Sequence, residues 1–201
     1  MLGIHKIKPG TIILLNGPSA AGKSTTQKKL QDLLKEPYLK MGIDRFFVGV
    51  IPERYFKGPL SDMPIDNNTM MEGVSAKDAQ GNPLFVLKIG DDGQRVISGM
   101  HHAFASYAKA GNNLIVDYIL YYEEWIPELV NALKGLRVYM IGIKPSLAIL
   151  EEREKLRGTS PIGHARSHYD TVHNGMIYDL ELDTSSMTAD EAALKIKEFL
   201  E

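Results

Sequence analysis

The sequence predicts an α/β domain of three layers, with a parallel sheet of five strands held between helices. Three observations predict it. Short apolar, β-branched runs alternate with amphipathic helical stretches along the chain. These runs lack polar alternation, which suits strands buried on both faces. The length of 201 residues fits one domain, 1–201, with a small lid.

Thr11–Leu15 is the first run and stops at Asn16-Gly17. Lys23–Lys35 carries Leu30, Leu33 and Leu34 at helical spacing, with Pro37 beyond its end. Tyr38–Ile43 is a second strand ending at Asp44. Residues 53–94 break the pattern, being rich in Pro, Gly, Asp and Asn. Within them "EGVSAKDAQGNPLFVLKIGDDG" reads as a β-hairpin turning at Gln80-Gly81-Asn82. A segment of this length inside a compact domain is functional or mobile, and it reads as an insertion beside the active site. Gln94–Ala110 returns to helical spacing through Val96, Ile97, Met100, Phe104 and Tyr107, until Gly111-Asn112-Asn113 ends it. Leu114–Ile119 is the third strand, Glu123–Leu133 a helix, and Arg137–Ile143 the fourth strand. Ser146–Leu156 is a helix ending at Gly158, and "GTSPIG" (158–163) reads as the tip of a lid over 153–168. His164–His173 is helical and Tyr178–Asp183 is the fifth strand. Thr188-x-x-Glu191 is a capping box opening the last helix, to Leu200.

Composition excludes several functions. With 44% hydrophobic and 24% charged residues, the chain is ordinary for a globular protein and long enough for a sizeable core. A net charge of −2, without a long run of one sign, does not suggest non-specific nucleic-acid binding. The absence of cysteine rules out a disulfide framework and thiolate catalysis, and fits the cytoplasm. "MLGIHKIKPG" has no apolar core of signal-peptide length. No apolar run approaches the roughly 18–20 residues that span a bilayer. A cytoplasmic protein without a membrane span is expected; oligomeric state is left open.

Gly17-Pro18-Ser19-Ala20-Ala21-Gly22-Lys23-Ser24 satisfies G-x-x-x-x-G-K-S, with an apolar strand before it and a helix after it. The glycines let the backbone curl so that N–H groups point at phosphate, and the helix N-terminus adds positive partial charge. Lys23 is expected to reach the β- and γ-phosphates of a nucleotide and Ser24 to ligate Mg²⁺, with Thr25 completing the loop. This P-loop makes the domain a P-loop NTPase.

Ligands of open α/β sheets lie beyond the carboxyl ends of the strands, and two aspartates are expected there. Asp117, in "NLIVDYIL", has the position of a Walker B carboxylate. It would hold Mg²⁺ beside Ser24 or orient an acceptor, or else satisfy nearby backbone N–H groups. Asp44, in "KMGIDRFF", is the candidate base for an acceptor hydroxyl, which needs a carboxylate within hydrogen-bond reach. The other reading makes it the N-cap of a helix beginning at Arg45. Arg153 and Arg157, four apart in "EEREKLRG", share one helix face and suit the charge that develops on a transferring phosphoryl group. Their glutamate neighbours offer surface pairing instead. The six histidines carry no Cys or H-E-x-x-H partner, so a zinc site is not expected; contact of His164 or His168 with substrate stays open. Trp125 and Met70-Met71 read as packing residues.

Together "IILLNGPSAAGKST", "EPYLKMGIDRFF", "AGNNLIVDYIL", "EEREKLRG" and "VHNGMIYDLELDT", with the Gly-rich stretch near 72–93, resemble the chloramphenicol phosphotransferase family over roughly 11–184. The resemblance implies a fold like nucleotide and shikimate kinases and an ATP- and Mg²⁺-dependent O-phosphotransferase. It implies Asp44 as the base that deprotonates the acceptor, and the arginine pair as Arg153 and Arg157. Two features depart from the family pattern. Asp117-Tyr118 stands where the family has two acidic residues, and the 53–94 segment is longer and more polar. The expected activity is transfer of the γ-phosphate of ATP to a small-molecule hydroxyl. The alternatives are a kinase of a nucleotide sugar or RNA, like zeta-toxin kinases, and a non-catalytic nucleotide-binding switch.

Overall fold

The computed structural model describes residues 7–48, 50–51, 56–57 and 70–201. In chain order the elements are β1 (Thr11–Asn16), α1 (Lys23–Leu33), β2 (Tyr38–Gly42), α2 (Asp44–Phe47) and β3 (Phe56–Lys57). There follow β4 (Met71–Lys77), β5 (Pro83–Lys88), α3 (Asp91–Lys109), β6 (Asn113–Tyr118) and α4 (Trp125–Ala132). The chain then runs through β7 (Arg137–Ile143), α5 (Leu147–Arg157), α6 (His164–His168), β8 (Leu180–Leu182) and α7 (Ala189–Leu200).

The five expected strands form one parallel sheet in the order β2-β6-β1-β7-β8. Alternation along β1 explains why its apolar run is continuous. Ile12 and Leu14 face a cluster with Ile97, Met100 and Phe104 of α3 and Leu129 of α4. Ile13 and Leu15 face the other side, with Leu30 of α1, Leu150 of α5 and Ile196 of α7. All four β1 residues are 0% exposed. At roughly 1.5–3 kcal/mol for each fully buried side chain, this strand anchors both helical layers. No helix among the described residues is long and apolar enough to cross a membrane.

Several boundaries differ from the expectation for local reasons. α1 ends at Leu33 because Leu34 is already extended, three residues before Pro37. α3 begins at Asp91, where Asp91 and Asp92 complement the positive end of the helix. β8 keeps three residues because it is an edge strand paired only to Ile141–Ile143. α6 stops at His168 rather than His173, continuing as turns. The expected hairpin is present as β4 and β5, antiparallel, with Val74 opposite Val86. Asp78 builds its turn by accepting from the Gln80 and Asn82 amides at 2.9 and 2.8 Å. Within the 53–94 segment, residues 53–55 and 58–69 lie outside the described residues.

Candidate active site

The register of three neighbouring strands assembles the acidic half of the site. Asp117 of β6 is level with Leu15 of β1 and Gly42 of β2. A Cβ on Gly42 would meet the Asp117 carbonyl oxygen at 2.8 Å, so glycine permits this approach. Two residues later Asp44 opens α2, which begins at Asp44 itself rather than at Arg45.

The phosphate loop follows β1 directly. Ala20 sits at φ 60°, a left-handed conformation uncommon for a residue with a Cβ. The N-terminus of α1 has no side-chain cap, so its first N–H groups face the cleft without an intrahelical partner. Lys23 is buried and donates to the Pro18 carbonyl at 2.7 Å, with Asp117 Oδ1 3.6 Å from its ammonium. Burial pulls the Lys23 pKa below its ordinary range, and Asp117 opposes that pull. The Ser24 hydroxyl donates to Asp117 Oδ2, joining the two residues expected to share a metal.

Asp44 reaches solvent at the mouth of the cleft, yet its pKa is raised, first by partial burial and then by the nearby Asp117 charge. Arg153 does not pair with its glutamate neighbours; it donates to the Thr184 carbonyl at 2.7 Å. Arg157, one turn on, is exposed and makes no hydrogen bond or ion pair with the described residues. Asp44, Asp117, Lys23, Ser24, Arg153 and Arg157 all line one cavity of about 1110 Å³. The loop residues Ser19, Ala20, Ala21, Gly22 and Thr25 line it too, whereas Gly17 and Pro18 do not. One wall comes from Thr184, Met187, Thr188 and Ala192 around the start of α7. The opposite wall brings Arg45, Phe47 and Val48 beside Met71 and Leu87 of the hairpin.

Sequence reasoning missed Glu154 and Asn16 as braces of this site and left the contacts of His164 and His168 open. Glu154 is 1% exposed, and its carboxylate accepts from the Gly163 and Ala165 amides at 2.6 and 2.8 Å. It thereby holds the start of α6 against α5; its position in "EEREK" resembles a surface glutamate. The Ser19 amide donates to His168 Nε2 at 3.0 Å. Tyr121 stacks on His164 and its hydroxyl lies 3.1 Å from His164 Nε2; both line the cavity. Burial drives the His164 pKa down to about 4 and the His168 pKa to about 2, so both rings are neutral. Asn16, fully buried, donates to the Val172 carbonyl and the Tyr178 hydroxyl and accepts from Leu120, tying two loops to the end of β1. Trp125 packs in the core and donates to Gln94 at 2.6 Å. Met70 packs there as well, while Met71 also reaches the cavity.

Residues 10–201 match the family described as "Chloramphenicol phosphotransferase-like protein". Proteins from two strains of Mycobacterium tuberculosis, provisionally named O-phosphotransferases, are 30% identical over 189 residues, covering 94% of this chain and 81% of theirs. Among solved structures, the Mycobacterium tuberculosis APS kinase in complex with AMPPNP and APS is similar at a TM-score of 0.63 and 15% identity, covering 96% of this chain and 98% of that one. The Deinococcus radiodurans tunicamycin resistance protein gives 0.61 and 18%, covering 95% of each chain. Shikimate kinase from Acinetobacter baumannii in complex with shikimate gives 0.57 and 15%, covering 97% and 94%. At these identities the structures establish a shared P-loop kinase fold.

Proposed function

The chain belongs to the chloramphenicol phosphotransferase-like family, and from that premise we propose that it transfers the γ-phosphate of ATP to a hydroxyl of a small molecule, with Asp44 as the base. One observation carries this reading. The phosphate loop, Asp44, Asp117 and the two arginines open onto the same cavity. Single-ligand sites occupy roughly 300–1,000 Å³. A cavity of about 1110 Å³ lies just above the upper end of that range, which supports a nucleotide with a small second substrate beside it.

The residues suit the groups this reaction needs. The uncapped N–H groups of α1 and the desolvated Lys23 ammonium favour a bound anion, which supports placing the polyphosphate there. The Ser24 hydroxyl and the Asp117 carboxylate are adjoining hard oxygen donors, a set that fits Mg²⁺ shared with substrate phosphates. When bound, Mg²⁺ supplies charge neutralisation at the phosphate oxygens. The wall around Met187 and Ala192 mixes apolar side chains with the Thr184 and Thr188 hydroxyls and adjoins Arg153, which suits a nucleoside.

Asp44 then takes the acceptor proton as the oxygen attacks, its raised pKa bringing it nearer the working pH than an ordinary carboxylate. Arg157 stabilises charge on the transferring group, while Arg153 is held by Thr184 to orient it. The apolar faces of Phe47, Val48, Met71 and Leu87 exclude water from the acceptor side, which limits transfer to water.

The deciding experiment is a mass-spectrometric screen of alcohol-bearing metabolites and antibiotics for the gain of one phosphate, with ADP release as the second readout. Asp44→Asn is expected to retain ATP binding while lowering acceptor-dependent ADP release at least ~100-fold. Unchanged transfer removes Asp44 from the role. Slow acceptor-independent hydrolysis with nucleotide-dependent capture of a partner protein would point instead to a switch.

A further inference from the structure

The phosphate loop is held from behind by a histidine whose protons can be assigned one by one. The Ser19 amide donates to His168 Nε2, so that nitrogen presents a lone pair and the ring proton sits on Nδ1. His168 Nδ1 lies 3.3 Å from Ser167 Oγ. The Ser167 hydroxyl spends its own proton on the His164 carbonyl at 2.7 Å, leaving its oxygen to accept from Nδ1. The tautomer is therefore fixed by a chain within α6. The ring is held edge-on by Tyr121 and His164, at centroid distances of 5.1 and 5.0 Å. His168 and Ser19 are both buried, so water offers the amide no replacement acceptor.

On the other side of the loop the Lys23 ammonium holds the Pro18 carbonyl. These two bonds grip the single Pro18–Ser19 peptide group by its C=O and its N–H, one residue before Ala20, whose positive φ needs such over-determination to persist. α6 is anchored in turn. Glu154 caps its N-terminal amides. Arg166 donates to Glu151 at 2.7 Å and to Asp78 at the hairpin tip at 3.3 Å.

We propose that His168 is a positioning residue for phosphate transfer: acting through the Ser19 N–H, it keeps the phosphate loop in its anion-accepting curl. This rests on the reading of the loop as an ATP site. Without the bond the loop samples other conformations, and nucleotide affinity falls with the competent fraction.

The test compares wild type, His168→Leu, His168→Gln and Ser167→Ala as full-length proteins, measuring the ATP dissociation constant by calorimetry, KM for ATP, kcat and Tm. His168→Leu is expected to weaken ATP binding about tenfold, in keeping with an orphaned buried amide. His168→Gln, whose amide oxygen offers an acceptor near the Nε2 position, is expected to recover most of that loss. Ser167→Ala, which frees the tautomer, is expected to fall between, with KM for ATP moving more than kcat. A fall in Tm for His168→Leu with unchanged ATP affinity would leave His168 a packing residue and overturn the proposal. Equal weakening in the Leu and Gln variants overturns it as well. Where His168→Leu does not fold, Ser167→Ala and His168→Gln decide, and unchanged affinity in Ser167→Ala overturns it. Absence of ATP binding in wild type overturns the nucleotide-site reading, a result distinct from all of these.

Discussion

Asp44 and Gly17 show how single residues set the limits of this site. Asp44 keeps a partly desolvated carboxyl beside the carboxylate of Asp117, and both effects raise its pKa. The sign for stability follows. A raised carboxyl pKa means the ionised form is worse placed in the fold than in the unfolded chain, a cost present at neutral pH and relieved as pH falls through the folded value. Asp44→Asn is therefore expected to lose transfer without lowering Tm, a separation of activity from stability that thermal melts check directly. Gly17 is constrained by shape instead. A Cβ there would overlap the Ile143 carbonyl oxygen at the end of β7. Gly17→Ala is expected to cost about 1–3 kcal/mol as the loop is pushed off the sheet. ATP binding should weaken in the same variant; urea unfolding and calorimetry measure both, and an unchanged urea midpoint would contradict the argument.

Among elements, α6 is the junction between hairpin, α5 and phosphate loop. It is five residues long and could not persist alone in water, since short isolated helices are marginal. Glu154 makes it possible by satisfying two buried amides. Glu154→Ala leaves both N–H groups unpaired, at about 1–3 kcal/mol each. Hydrogen exchange is the suitable measurement. The amides of residues 163–168 are expected to exchange at least about tenfold faster, while those of β1 keep their protection, because the defect opens α6 rather than the sheet. Equal acceleration in β1 would mean that α6 does not open independently. The hairpin shares in this junction: the Phe85 amide donates to the Gly163 carbonyl at 3.1 Å, and the Phe85 ring packs edge-on against His164.

At the scale of the whole molecule, buried neutral histidines couple folding to pH. His164 and His168 hold folded values of about 4 and about 2, through burial first and neighbouring positive charge second. In the unfolded chain both titrate near 6.5. Their contribution to stability is thus complete above about pH 6.5 and lost as pH falls toward the folded values. By pH 5 the loss is expected to be on the order of 1–2 kcal/mol per histidine, seen as a lower urea midpoint than at pH 7.5. A flat midpoint across that interval would show that these rings are not kept neutral by the fold.

The alternation of apolar runs and helical stretches determined the three-layer parallel sheet, because burial on both faces leaves β1, β6 and β7 little choice but to be continuous and apolar. The phosphate loop was equally legible, since Gly17 to Ser24 act through local backbone geometry. The hairpin could be read for the same reason, Asp78 to Asn82 being a local turn. Asp44 and Asp117 were legible as strand-end acids, but their adjacency was not. It follows from the register of β2 on β6, a contact across more than seventy residues of chain. Glu154, and the bond of His168 to the phosphate loop, escaped for the complementary reason. Nothing in "EEREK" or "HARSH" marks a side chain as buried, because burial there depends on α5, α6 and the phosphate loop closing on one another. Local propensity wrote the elements and the loop; long-range packing alone decided which polar groups lost their water, and so which of them brace the site.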